Sequence, residues 1–225
     1  MRIRSLLATW VLVSWLAPSG HGEETNQAHH VQWEKAIQSF EAADKKNPPP
    51  KGAVLMIGSS SIRKWTNAPA QFPEQRLINR GFGGSHLSDS VAFIDRIVIP
   101  YQPRLVLLYA GDNDIAAGKT PERVLADFQE FVAKVQGALP DTRIAYISIK
   151  PSPSRTKFMD QFKTANRLIT EFIQANPKLI YVDVFTPMLD ANGQTRPELF
   201  VSDRLHLSNA GYELWSGIVK PVLEK

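Results

Sequence analysis

The chain contains no cysteine. That absence excludes disulfides, thiolate metal sites and attachment of lipid through a thiol, so the core alone must hold the fold. Histidine is scarce as well, five in 225 residues, which leaves little from which to build a transition-metal shell. Lysine and arginine form no stripe or cluster of the kind that tracks a phosphate backbone, so nucleic acid is not an expected partner. No internal repeat and no low-complexity tract interrupts the chain. What remains is a length and a 43% hydrophobic content suited to one sizeable core.

The first residues stand apart. "MRIR" carries two arginines, "SLLATWVLVSWLA" is a short apolar block, and "PSGHG" supplies small residues before Glu23 and Glu24. That order is expected of a secretory signal peptide over residues 1–22, the apolar block being short for a membrane-spanning helix. Its removal takes Arg2 and Arg4 with no acidic residue and lowers the formal charge from +4 to +2. A secreted or periplasmic protein without stable membrane insertion is therefore expected.

Residues 23–50 read as a lead-in. Trp33, Ile37 and Phe40 fall on one helical face, and Pro48 to Pro50 end the helix because proline supplies no backbone donor. From residue 51 to 225 short apolar runs alternate with longer helical patterns. The runs are "AVLMIG" (53–58), "RLINRG" (76–81), "RLVLLYAG" (104–111), "RIAYISI" (143–149) and "LIYVDVF" (179–185). Continuous rather than alternating apolar character fits strands buried on both faces. Between them, Thr120 and Pro121 open a helix whose stripe holds Val124, Phe128, Phe131, Val132 and Val135, and a later stripe holds Phe162, Leu168, Ile169 and Phe172. Strand alternating with helix predicts an α/β parallel sheet covered on both faces.

In such a sheet catalytic groups gather at the carboxyl ends of the strands. The chain puts "GSSS" (58–61) after the first, "NRGFGGSH" (79–86) after the second, "AGDND" (110–114) after the third and "KPSPSR" (150–155) after the fourth, with "SDRLHLS" (202–208) before the last helix. A serine needs a base to take its proton, and the base needs a carboxylate to hold its tautomer; Asp203 and His206 lie in one turn and can supply both. Gly84 offers an unobstructed backbone N–H, Asn113 a side-chain amide, and Ser60 its own amide, as donors to a developing oxyanion. Spacing alone leaves open which of Ser59, Ser60 and Ser61 is the nucleophile. It also leaves Asp112, Asp114 and Asp203 open as hard-metal ligands, although cap and orienting roles explain them equally. "GFGG" lacks the G-x-G-x-x-G spacing and a neighbouring P-loop lysine, which disfavours a phosphate loop.

These blocks, taken in order, resemble the SGNH hydrolase superfamily, the GDSL-type esterases and lipases, over roughly residues 53–222. "MIGSSSI", "NRGFGGSH", "YAGDND" with its G-x-N-D and "SDRLH" with its D-x-x-H match the four blocks that give the family its name. The resemblance implies a flavodoxin-like, three-layer α/β/α sandwich of about five parallel strands. It also implies Ser60 as nucleophile, His206 as base, Asp203 as its orienter, and Ser60, Gly84 and Asn113 as the oxyanion hole, with no metal or other cofactor. Absence of a G-x-S-x-G elbow argues separately against the larger α/β-hydrolase class. Ser59 stands where the family commonly has aspartate, and is expected to take over its hydrogen-bonding job.

The expected activity is hydrolysis of short-chain carboxylic esters, including O-acetyl groups on carbohydrates, through an acyl-enzyme. A lysophospholipase or thioesterase on the same residues, and an inactive glycan-binding module, are the alternatives. His86, Lys150 and Arg155 are expected to line the substrate groove.

Overall fold

The computed structural model describes residues 30–224. The expected signal peptide (1–22) and residues 23–29 lie outside them. Five parallel strands, β1 (Val54–Gly58), β2 (Leu77–Gly81), β3 (Leu105–Tyr109), β4 (Arg143–Ile147) and β5 (Leu179–Val182), form one sheet in the order β2-β1-β3-β4-β5. This is the flavodoxin-like order, with the chain reversing direction across the sheet between β1 and β3. In register, Val54 lies beside Leu77 on one side and Leu105 on the other.

The period-two alternation of side chains divides the core into two layers. Leu55, Ile57, Val106, Leu108, Ile144 and Tyr146 face one layer, where helices α7 (Pro121–Ala138) and α8 (Met159–Ile173) bring Phe128, Phe131, Phe162 and Ile169. Val54, Met56, Leu107, Tyr109 and Ile147 face the other, against Trp65 and against Tyr212, Trp215 and Val219 of α9 (Asn209–Leu223). The α7 stripe read from the sequence is buried throughout, and Thr120 caps its start by accepting from the Arg123 N–H at 3.3 Å.

β3, β4 and β5 end two to three residues earlier than their apolar runs, because side chains take over the backbone groups there. Asn166 bonds both the N–H and the C=O of Ile149, at 2.8 and 3.0 Å. Ser148 Oγ accepts from the N–H groups of Val184 and Phe185, at 2.9 and 3.0 Å. The Tyr146 hydroxyl donates to the Ala110 carbonyl at 2.8 Å. Backbone polar groups that leave the ladder inside the protein must be satisfied somewhere, and these three side chains free the strand ends to turn toward the site.

The lead-in helix α1 (Glu34–Lys46) is bonded into the domain, and the short helices α3 (Ala68–Gln71) and α5 (Ile94–Ile97) lie further along the chain. Ile37 is in the core, Arg96 bridges Glu34 and Glu41, and Asp44 receives both Arg80 and the Tyr101 hydroxyl. Among the described residues no helix is long and apolar enough to cross a membrane.

Candidate active site

Gly58 ends β1 at φ +130°, and a Cβ there would lie 1.9 Å from the Tyr109 carbonyl oxygen. Only glycine allows the chain to turn so tightly against its neighbouring strand. The Ser59 N–H then donates to that same carbonyl at 3.0 Å, and the short helix α2 (Ser60–Arg63) begins. The three serines separate at once. Ser59 and Ser61 are buried, with hydroxyls that find no partner, whereas Ser60 is half-exposed with its Oγ 3.0 Å from His206 Nε2. Ser59 therefore does not take over an aspartate's hydrogen bonds, its buried hydroxyl having no partner.

The turn before α9 delivers the imidazole. Asp203 Oδ1 accepts from the N–H groups of Leu205 and His206, both at 2.9 Å, and Oδ2 is 2.6 Å from His206 Nδ1. Arg204 between them takes a left-handed φ of +58°, which folds the four residues back so that the carboxylate reaches its own turn's ring. The His206 ring and the backbone donors hold the Asp203 carboxyl well below the usual carboxylate range. An ionised Asp203 fixes the proton on Nδ1 and leaves Nε2 as the acceptor facing Ser60.

The loops after β2 and β3 are tied to each other. Asn113, in the first turn of α6 (Asp112–Ala116), donates from Nδ2 to the Ser85 carbonyl at 3.1 Å. The Leu87 N–H, opening α4 (Leu87–Ala92), donates to the Asp114 carboxylate at 3.0 Å. Gly84 is exposed at φ +80°, with the Trp33 ring 3.4 Å from where a Cβ would stand. Gly111, at φ +117°, has no room for a side chain against Ile149. The two backbone turns that carry Gly84 and Asn113 thus share one rim.

Of the three residues expected in the substrate groove, Lys150 and Arg155 have side chains bonded within the protein. Lys150 is buried, 1% exposed, and its Nζ donates to Asp112 Oδ2 at 2.9 Å and to the Tyr109 hydroxyl at 3.0 Å. It lines no groove: a β4 end packed on both sides leaves its side chain only the interior, where Asp112 pairs with it. Burial pushes the Asp112 carboxyl up, but Lys150 and Arg155 outweigh burial and bring it below its ordinary value. Arg155 is turned toward α6, bonding the Asp112 carbonyl and Asn113 Oδ1. His86 is the residue preceding α4, and its N–H donates to Asp89 Oδ2 at 2.7 Å. Asp112 and Asp114, open as metal ligands in the sequence, have their carboxylates against Lys150 and Lys119. Sequence reasoning missed Asp112 and Tyr109 as partners of Lys150; a lysine directly after the fourth apolar run, with an aspartate directly after the third, was the available signal.

Residues 55–214 match the GDSL-like Lipase/Acylhydrolase family, which is well over half of the chain. This chain belongs to that family. GDSL-like acylhydrolases are ester hydrolases, and several solved structures share this fold. A Streptococcus pneumonia protein provisionally described as a platelet activating factor superposes with a TM-score of 0.76 at 22% identity, covering 91% of this chain and 99% of its own. A GDSL-like lipase from Bacteroides thetaiotaomicron gives 0.71 at 20% identity, over 84% of this chain and 97% of its own. An acetylxylan esterase from Geobacillus stearothermophilus gives 0.62 at 16% identity, over 77% and 95%; variants of it described as catalytic mutants replace a serine and a histidine. No curated protein matches the chain by sequence.

Beside His206 this GDSL-like acylhydrolase has a groove of about 530 Å³, lined mainly by polar side chains, among them Lys64, Asn67, Asn209 and Glu213, with Val201, Leu207 and Tyr212 completing it. Its volume is that of a small-molecule site.

Proposed function

We propose that this acylhydrolase is a secreted serine esterase that removes short acyl groups, acetyl foremost, from a polar, sugar-like alcohol. The Ser60–His206–Asp203 relay, 3.0 and 2.6 Å at its two joints, carries the reading. Ser60 Oγ attacks the ester carbonyl while His206 Nε2 takes its proton; the imidazolium is stabilised by Asp203 and then protonates the departing alkoxide oxygen. The tetrahedral oxyanion is received by the backbone N–H groups of Ser60 and Gly84 and by Asn113 Nδ2. Water, deprotonated by the same histidine, releases the acid from the acyl-enzyme and restores Ser60.

Two observations favour a polar alcohol. The groove adjoins the ring that must protonate the leaving oxygen, and its polar walls suit hydroxyl groups better than an alkyl chain. Acetylxylan esterase is also the named activity of one structural relative. An acyl-length series tests this reading. p-Nitrophenyl acetate and acetylated xylooligosaccharides should give kcat/KM at least about tenfold above octanoyl esters, one extra methylene being worth about 1–3 kcal/mol in a fitted pocket. A preference for octanoyl or longer chains would instead assign a lysophospholipase or thioesterase. Sugar binding without turnover would assign a glycan-binding module. Export rests on residues 1–22, and a secreted product whose first residue lies near Glu23 is the expected result of N-terminal sequencing.

A further inference from the structure

An amide side chain is symmetric in shape and opposite in chemistry at its two ends, so an oxyanion donor built from asparagine works in one orientation only. Flipped by 180°, Asn113 would present a carbonyl oxygen to the developing negative charge and repel it. Something must select the productive orientation. Ser85 does part of this by accepting from Nδ2 at 3.1 Å. The other end is held by Arg155, whose Nη2 donates to Asn113 Oδ1 at 2.8 Å while its Nη1 donates to the Asp112 carbonyl.

We infer that Arg155 is a positioning residue of the ester hydrolysis: its planar fork locks the Asn113 amide so that Nδ2 faces the oxyanion. The inference rests on Asn113 being an oxyanion donor. A guanidinium has only donors, so it rejects the flipped amide outright; water or a hydroxyl in its place would accept either end. Binding two points on adjacent residues, one backbone and one side chain, also fixes where the amide sits as well as how it is turned. The side chain is 16% exposed, which limits competition from water. Of the two Nδ2 hydrogens, Ser85 takes one and the second has no protein partner among the described residues. That hydrogen is the one left for substrate.

Lys150 braces the same turn from below. It pairs with the Asp112 carboxylate, so the "KPSPSR" segment grips both residues of the Asp112–Asn113 pair with two cations. The segment acts on the substrate through Asn113 rather than by touching the alcohol.

The experiment is a double-mutant cycle on full-length protein, with p-nitrophenyl acetate as substrate. Asn113→Ala should lower kcat by about 10²–10³-fold. Arg155→Met, which keeps the stem and removes every donor, should lower kcat by about 10–10²-fold with KM within about twofold of wild type. Because the arginine works through the amide, the double variant should fall no further than Asn113→Ala alone, within about twofold. Arg155→Lys retains the charge but offers a point donor instead of a fork, and should lie between wild type and Arg155→Met; it replaces that variant if the latter does not fold. Multiplicative losses in the double variant overturn the inference, as does a raised KM with unchanged kcat, which would put Arg155 on the substrate. Unchanged activity in Asn113→Ala would remove the oxyanion assignment itself, and the inference with it.

Discussion

Ser59 occupies the cap position of α2, where a serine ordinarily earns its place by accepting a backbone N–H, yet its hydroxyl has no partner and neither does that of Ser61. A buried hydroxyl without a partner costs about 1–3 kcal/mol, so its loss is a gain offset by a small void. Ser59→Ala and Ser61→Ala should therefore keep kcat and leave the melting temperature unchanged or higher, by up to about 3 °C for a chain of this size. A drop of more than that would mean the hydroxyls are bonded. Asp203 allows a cleaner separation of chemistry from folding. Asp203→Asn keeps an oxygen for the two backbone N–H groups but turns a donor toward His206 Nδ1, which forces the proton onto Nε2 and removes the base. Its kcat should fall by about 10³–10⁴-fold with little change in melting temperature. Calorimetry run beside the kinetics checks both halves. Because the native carboxyl lies below its ordinary pKa, its contribution to stability is complete above the usual carboxylate range and is lost as pH falls toward the native value.

At the scale of elements, the docking of α1 includes one titratable hydroxyl among its ion pairs and apolar contacts. Tyr101 donates to Asp44 at 2.5 Å, and burial, then that bond, push its pKa up to about 12. Between the ordinary value near 10 and about 12 the unfolded chain gives up this proton while the native protein keeps it. The native state then binds more protons, so stability falls as pH rises through that window and is fully present below it. Thermal unfolding followed from pH 8 to 12 should show this loss, and Tyr101→Phe should reduce it while being less stable at pH 8, the remainder coming from Tyr109, Tyr146, Tyr181 and Tyr212, whose hydroxyls burial also pushes up. A Tyr101→Phe protein with the same alkaline loss would place the effect on another group. The helical spacing of Trp33, Ile37 and Phe40 made α1 readable in advance, since only an amphipathic period is needed. Its ties were not, because Arg80, Arg96 and Tyr101 lie 36 to 62 residues away in sequence from the carboxylates they meet.

For the molecule as a whole, apolar runs and caps were enough to give five parallel strands and covering helices, because burial on both faces writes a continuous hydrophobic stretch into the chain. Strand ends were overrun where Asn166 and Ser148 replace the ladder, a side-chain substitution that hydrophobicity does not record. The site followed the same division. Ser60, His206 and Asp203 were legible through four short blocks, and the fold brings them into one hydrogen-bonded line. Lys150 and Arg155 were placed in the right loop and given the wrong neighbour, since whether a cation at a strand end points inward or outward depends on what the adjacent strand sets beside it. Here that is Asp112 and Asn113.

The claim on which the account turns is that the middle serine of "GSSS" becomes covalently acylated. Labelling with a serine-directed fluorophosphonate, followed by peptide mass mapping, tests it directly. The adduct should fall on Ser60, vanish in Ser60→Ala and persist in Ser59→Ala and Ser61→Ala; an adduct on either flanking serine, or ester hydrolysis that survives Ser60→Ala, would contradict it.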